Sequence, residues 1–184
     1  MNEFEYSSAG LALTRSFEGL RLEAYQDSAG VWTIGYGHTG PDVHAGQRMT
    51  EAEAEALLRE DLAAAIACVR RAVRVKLTQG QFEALVDFCF NAGGGNFLHS
   101  SLLRYVNAGE MAEAAAQFGL WVHAGGRVIP GLVRRRAAEA RLFAGSGFNP
   151  AEEVAKSAEQ NPHGSTEVSA AVPEAALARS GNGR

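Results

Sequence analysis

Three features of this 184-residue chain predict an α+β fold. A period-two segment runs from Leu22 to Tyr36, interrupted by the turn-forming Asp27-Ser28-Ala29-Gly30, and predicts a β-hairpin. A stretch opening at Thr50 repeats apolar residues every three or four positions, the signature of a long amphipathic helix. From there to Gly145 the chain reads as further, shorter helices, and with 46% hydrophobic residues it can bury a sizeable core.

Ahead of the hairpin, Ser8 to Phe17 carries Leu11, Leu13 and Phe17 without a proline, which predicts a short helix capped near Ser8. Gly19 supplies its stop. Glu18 therefore falls in the last turn, where unpaired carbonyls disfavour a carboxylate and, with partial burial, push its pKa upward. Asp27, on a turn, is more solvated and expected to stay ionised, and Thr33 on the return strand can bond to it or to a water between them. The chemistry this set offers is glycosidic hydrolysis: Glu18 as general acid, Asp27 as base or electrostatic stabiliser, Thr33 as water-positioner. On spacing alone, a Glu, an Asp and a Thr around a hairpin are most often ordinary surface polar residues.

Thr39 to Met49, with Gly40, Pro41 and Gly46, reads as a loop. Thr50 and Glu53 form a capping box, and the helix behind it carries Leu57, Leu58, Leu62, Ile66, Val69 and Val73. Thr78 and Gln81 form a second box, opening an apolar helix through Phe82, Leu85, Val86, Cys89 and Phe90 to Asn91. The run Ala92-Gly93-Gly94-Gly95 is expected to break it, and is no phosphate loop because neither a Lys-Ser nor a Lys-Thr follows. Ser100 or Ser101 opens another helix towards Asn107 and Gly109, and Met111 to Phe118 a further one. Trp121 is expected as a core anchor. The last helix begins near Pro130 and ends at Gly145; Arg134, Arg135 and Arg136 point in different directions on it, and one is available to pair with Glu139.

The net charge of −4 is unevenly spread. Residues 1 to 61 hold 11 acids and 4 bases, whereas residues 62 to 145 hold 5 acids and 10 bases. Such asymmetry suits a cleft facing an anionic polymer, and solvated helix faces give the same arithmetic. No recognition motif for nucleic acid is present. His38, His44, His99, His123 and His163 lack the i, i+3 or i, i+4 pairing of metal ligands, so neither a metal nor a cofactor is expected, and His38 reads as a structural hydrogen-bonding residue. Cys68 and Cys89 read as reduced core residues. Met1 to Tyr6 is acidic, unlike a signal peptide, and no span approaches the roughly 20 apolar residues of a membrane helix.

The wider string E-G-L-R-L-x-A-Y-x-D, five residues, then T-I-G-Y-G-H resembles the signature of the phage-type lysozymes, the endolysins of glycoside hydrolase family 24. The stretch from Trp121 to Glu139, W-V-H-A-G-G-R-V-I-P-G-L-V-R-R-R-A-A-E, resembles their C-terminal signature, although His123 stands where members often carry Asn or Tyr. The resemblance implies that Glu18, Asp27 and Thr33 are the catalytic triad. It also implies a small hairpin lobe joined by the long helix to a larger helical lobe, with the cleft between. The implied substrate is peptidoglycan, cut with inversion between N-acetylmuramic acid and N-acetylglucosamine, with Thr39, Phe90 and Ser100 as substrate contacts.

From the same resemblance a separate membrane pore protein, a holin, is expected to release a chain that accumulates in the host cytoplasm. A monomer is expected, there being no heptad seam. The resemblance covers residues 1 to 145, the expected catalytic domain. Residues 146 to 184, rich in Ala, Ser and Glu, are expected to be a flexible tail with a short helix around 151 to 158. The alternatives are a lytic transglycosylase, which needs only one acid and forms an anhydro product, and a non-catalytic wall-binding protein, against which the whole triad speaks.

Overall fold

The computed structural model describes residues 4 to 27 and 29 to 146, so the expectations for the tail lie outside the described residues. Helix α1, Ser8–Glu18, leads into a three-stranded antiparallel sheet of β1 Arg21–Gln26, β2 Trp32–Gly35 and β3 His38–Thr39, in that order. The long helix α2, Glu51–Ala72, follows. Next come α3 Gln79–Ala92, α4 Gly94–His99, α5 Ser101–Ala108 and α6 Met111–Gln117. A single 3-10 turn, a two-stranded ribbon of β4 His123–Ala124 and β5 Arg127–Val128, and α7 Pro130–Phe143 complete the described chain.

Side-chain chemistry places the helix starts. Both capping boxes form as expected: Thr50 and Glu53 open α2, and Thr78 and Gln81 open α3, each pair exchanging side-chain and backbone bonds. For α1 the cap is Ser7 rather than Ser8, because Ser7 is the last extended residue and its hydroxyl accepts from the Ala9 N–H at 3.1 Å. Gly19, at φ 69°, ends α1 in a conformation that favours glycine. That stop fixes where the Glu18 side chain leaves the helix.

The glycine run differs from expectation. Only Gly93, at φ 87°, breaks the helix; Gly94 and Gly95 begin α4, which Phe97 anchors in the core. Two strand segments also go beyond the sequence reading. β3 extends the hairpin, pairing Thr39 with Thr33 and His38 with Ile34. The β4–β5 ribbon turns on Gly125 and Gly126, both at positive φ, the two-residue arrangement that such hairpins require.

The core is built around α3, which is apolar on nearly all sides and is covered by α2 and α7. Phe82, Leu85 and Phe88 are fully buried, and the Phe88 ring meets Phe97, Phe118 and Trp121 edge-on. Trp121 thus takes the anchoring role expected of it. On α2, Leu58, Leu62, Val69 and its cap Val73 are buried, while Leu57 and Ile66 lie half-buried at the edge of the same stripe.

The sheet adheres to this core through β2, whose Ile34 is inaccessible, and through one polar tie. His38 Nδ1 lies 2.8 Å from Asp61 Oδ1 of α2, and its Nε2 lies 3.3 Å from Asp42 Oδ2. Desolvation works against the imidazolium, but hydrogen bonds and charge from the two carboxylates prevail and raise the His38 pKa. A raised folded-state value means stability that is fully present below the unfolded value of about 6.5 and is lost as pH rises through the folded one. Thermal unfolding is therefore expected to show Tm falling across that window more steeply in the native chain than in His38→Asn. Parallel curves would remove the ion pair from the account.

Candidate active site

Glu18 is the last residue of α1 and is 7% exposed, yet it lines an open cleft of about 500 Å³ between the sheet and the helical core. Burial raises its pKa, and the Arg135 guanidinium pulls the other way without cancelling the effect. Arg135, on α7, donates from Nη1 to Glu18 Oε1 at 2.5 Å. From Nε and Nη2 it grips both oxygens of Asp87, on α3, at 2.9 Å each. Thr14 Oγ1 donates to Asp87 Oδ1 at 2.8 Å and is itself bonded to the Tyr6 hydroxyl. Next to Arg135, Arg136 donates to Glu139, to Asn91 and to the Trp121 carbonyl. The Glu18 carboxyl is thus fixed from behind by a buried ionic network while its cleft side stays open.

Asp27 owes its position to the turn it makes. Its Oδ1 accepts from the N–H groups of Ala29 and Val31, each at 2.8 Å, and its own N–H donates to the Val31 carbonyl at 2.9 Å. The side chain thereby shapes the hairpin that carries it, the local bonding for which aspartate is favoured in turns. Thr33 is 4% exposed, and its hydroxyl donates to the Val31 carbonyl at 3.1 Å rather than to Asp27. Directly opposite Thr33 on the same sheet face stands Thr39, which lines the cleft.

Phe90, from α3, also lines the cleft, half-buried beside Asn91 and Leu98. Glu18, Thr39 and Phe90 line one cavity, and Asp27 and Thr33 stand on the adjoining hairpin. Ser100 stands apart from that cavity. Its hydroxyl caps α5, accepting from the Leu103 N–H and donating to the Phe97 carbonyl, and it lines a second groove with Arg74 and Arg104 that adjoins the cleft at Leu98.

Sequence reasoning missed Asp87 and did not connect Arg135 to Glu18. A signal for the first was present: an aspartate inside an apolar helical run is a buried charge that needs a partner. Among the described residues no group of three or more His, Cys, Asp or Glu is arranged to hold a metal ion.

Comparison with known proteins fits this geometry. The family model described as phage lysozyme matches residues 15–139, from the end of α1 to the middle of α7. An endolysin of Bacillus phage PZA is 49% identical over 141 residues, which are 76% of this chain and 55% of that protein. The chain thus spans little more than half that relative's length. A SAR-endolysin of Bacteriophage PS119 is 41% identical over 122 residues, covering 66% of this chain and 73% of that one. Among solved structures, the muramidase domain of SpmX from Asticaccaulis excentricus superposes with a TM-score of 0.72 at 46% identity, over 77% of this chain and 98% of that one. With the match reaching from Glu18 through Glu139, this chain belongs to the phage lysozyme family.

Proposed function

We propose that the chain is a muramidase-type endolysin, hydrolysing the β-1,4 bond between N-acetylmuramic acid and N-acetylglucosamine of bacterial peptidoglycan during phage-induced host lysis. The observation that carries this reading is Glu18, a carboxyl whose burial raises its proton affinity while it lines a cleft open to a polymer. Glu18 protonates the glycosidic oxygen as the bond to the sugar's anomeric carbon breaks. A water held by Asp27 and Thr33 attacks that carbon from the opposite face and gives a proton to Asp27. Asp27 Oδ1 is occupied by the turn, so the reading assigns the water to Oδ2. Inversion requires carboxyl groups roughly 6.5 to 9.5 Å apart, leaving room for that water.

Thr39 offers a hydroxyl and Phe90 a ring face to the sugars within the cleft. Ser100 belongs to the adjoining groove, where a longer substrate extends past Leu98. The catalytic unit is residues 1 to 145. It acts as a monomer, waits in the host cytoplasm and reaches the periplasm through a separate pore protein.

Digestion of purified glycan strands, followed by mass spectrometry and proton NMR of the first product, tests the chemistry. The expected product carries one added water and appears first as the α-anomer. A 1,6-anhydro product would assign the chain to the transglycosylases, and a β-anomer would replace inversion by retention.

A further inference from the structure

Five ionisable groups form one buried cluster, with Glu18 at its edge on the cleft: Glu18 from α1, Asp87 from α3, and Arg135, Arg136 and Glu139 from α7, none more than 7% exposed. Three carboxylates against two guanidinium groups leave one uncompensated negative charge, which a dry interior disfavours strongly. One proton makes the set neutral.

The geometry narrows where that proton resides. Asp87 is the poorest holder: burial favours its protonation, but Arg135 and the bond from Thr14 outweigh this and lower its pKa. Glu139 is the opposite case. Its Oε1 accepts from Arg136 Nη1, while its Oε2 is buried with no hydrogen-bond partner. Glu139 and Asp87 both face Arg135, whose Nε lies 2.9 Å from Asp87 Oδ2 and 3.6 Å from Glu139 Oε1. A proton on Glu139 Oε2 removes the charge from an oxygen that no donor meets. Burial, opposed by Arg136 and reinforced by Asp87, pushes the Glu139 pKa up to about 8.

The other titratable neighbours are satisfied separately. Tyr6, from the segment before α1, is bonded to Thr14, and burial raises its pKa well above the phenolic value. Glu83, one turn before Asp87 on α3, accepts from the Ser7 N–H and from Gln79.

We propose that Glu139 is a positioning residue for the reaction: Glu18 and Glu139 compete for one shared proton, so the charge on Glu139 sets how firmly Glu18 holds the proton it delivers. This rests on the reading of Glu18 as general acid. With Glu139 neutral, Glu18 faces two guanidinium groups and one carboxylate, a net positive setting, and releases its proton readily to the leaving oxygen. With Glu139 ionised the same surroundings sum to zero, and Glu18 keeps its proton to higher pH. Both carboxyls meet Arg135, whose Nη1 lies 2.5 Å from Glu18 Oε1 and whose Nε lies 3.6 Å from Glu139 Oε1, and through it the pair titrates as a unit.

The test is a carboxyl carbon-13 NMR titration of the full chain, native and Glu139→Gln, alongside pH–rate profiles of both. The amide oxygen introduced by Glu139→Gln still accepts from Arg136, so the fold is expected to persist. In the native chain the Glu18 resonance is expected to titrate in two steps, the second coinciding with Glu139. In the variant it titrates in one step, and activity on the alkaline limb falls about tenfold per pH unit where the native limb is shallower. Glu139→Asp is expected to restore the two-step curve. A single Glu18 step in the native chain, with the same midpoint in Glu139→Gln, overturns the proposal. Turnover retained by Glu18→Gln overturns instead the acid role on which the proposal rests, and the NMR titration reads the coupling independently of that outcome.

Discussion

Glu18→Gln is expected to clear a suspension of outer-membrane-permeabilised Gram-negative cells at least about 10²-fold more slowly than the native chain, since a positioned general acid contributes roughly 10²- to 10⁴-fold. The substitution preserves shape and the oxygen that accepts from Arg135, and removes only the transferable proton. Because burial penalises the ionised form of Glu18, a neutral replacement is expected to leave Tm within a few degrees of native or raise it. Loss of clearing with retained Tm separates catalysis from folding. Equal clearing by the two proteins would move the acid elsewhere, and failure of both to clear would leave a binder or an enzyme for another polymer.

Arg135→Ala is expected to give the largest loss of stability of any single side-chain truncation in the site, about 3 to 5 kcal/mol. Arg135 bonds both oxygens of Asp87 and one of Glu18, and Arg135 and Asp87 are almost wholly buried. Its removal leaves two buried carboxyl groups without their cation. For a domain of this size such a change lowers Tm on the order of 10 °C, which calorimetry or circular dichroism resolves. Replacing the pair together, Arg135→Met with Asp87→Leu, is expected to be milder, because only Glu18, and not Asp87 as well, then loses its cation.

The pH dependence of Arg135→Ala follows from Asp87. Its pKa is lowered in the fold, so its contribution is present above the unfolded value of about 3.9 and is lost as pH falls through the lower folded one. The native chain should therefore lose more stability on acidification through that window than the variant does. A Tm deficit of only a degree or two at neutral pH would show that Arg135 does not hold this region together.

Local chemistry was the most legible part of the sequence. Thr50 with Glu53 and Thr78 with Gln81 announce their helices because a capping box is satisfied within four residues, and Asp27 shapes its own turn for the same reason. Gly94 and Gly95 misled, because glycine's low helix propensity gave way to the burial of Phe97 at the far end of α4. The β4–β5 ribbon was missed because each strand has only two residues, too few to establish a period, although the Gly125-Gly126 pair between them is a hairpin signal.

The setting of Glu18 was the least legible part. The assignment of chemistry to a glutamate at the end of α1 rests on resemblance, not on spacing. Its partners lie on helices far along the chain, and only packing decides which of three successive arginines turns inward to meet it. Nothing in R-R-R-A-A-E states that Arg135 faces Glu18 and Asp87 while Arg136 faces Glu139 and Asn91.

The bond from Arg135 to Glu18 closes a loop of 117 residues. A growing polypeptide that has displayed only its first hundred residues beyond the ribosome has the hairpin and the acid, but neither the cation that holds that acid nor the helix that seals it. With Glu18 as the proposed acid, a competent acid becomes available late in synthesis, once α7 has docked, and fragments released prematurely lack it.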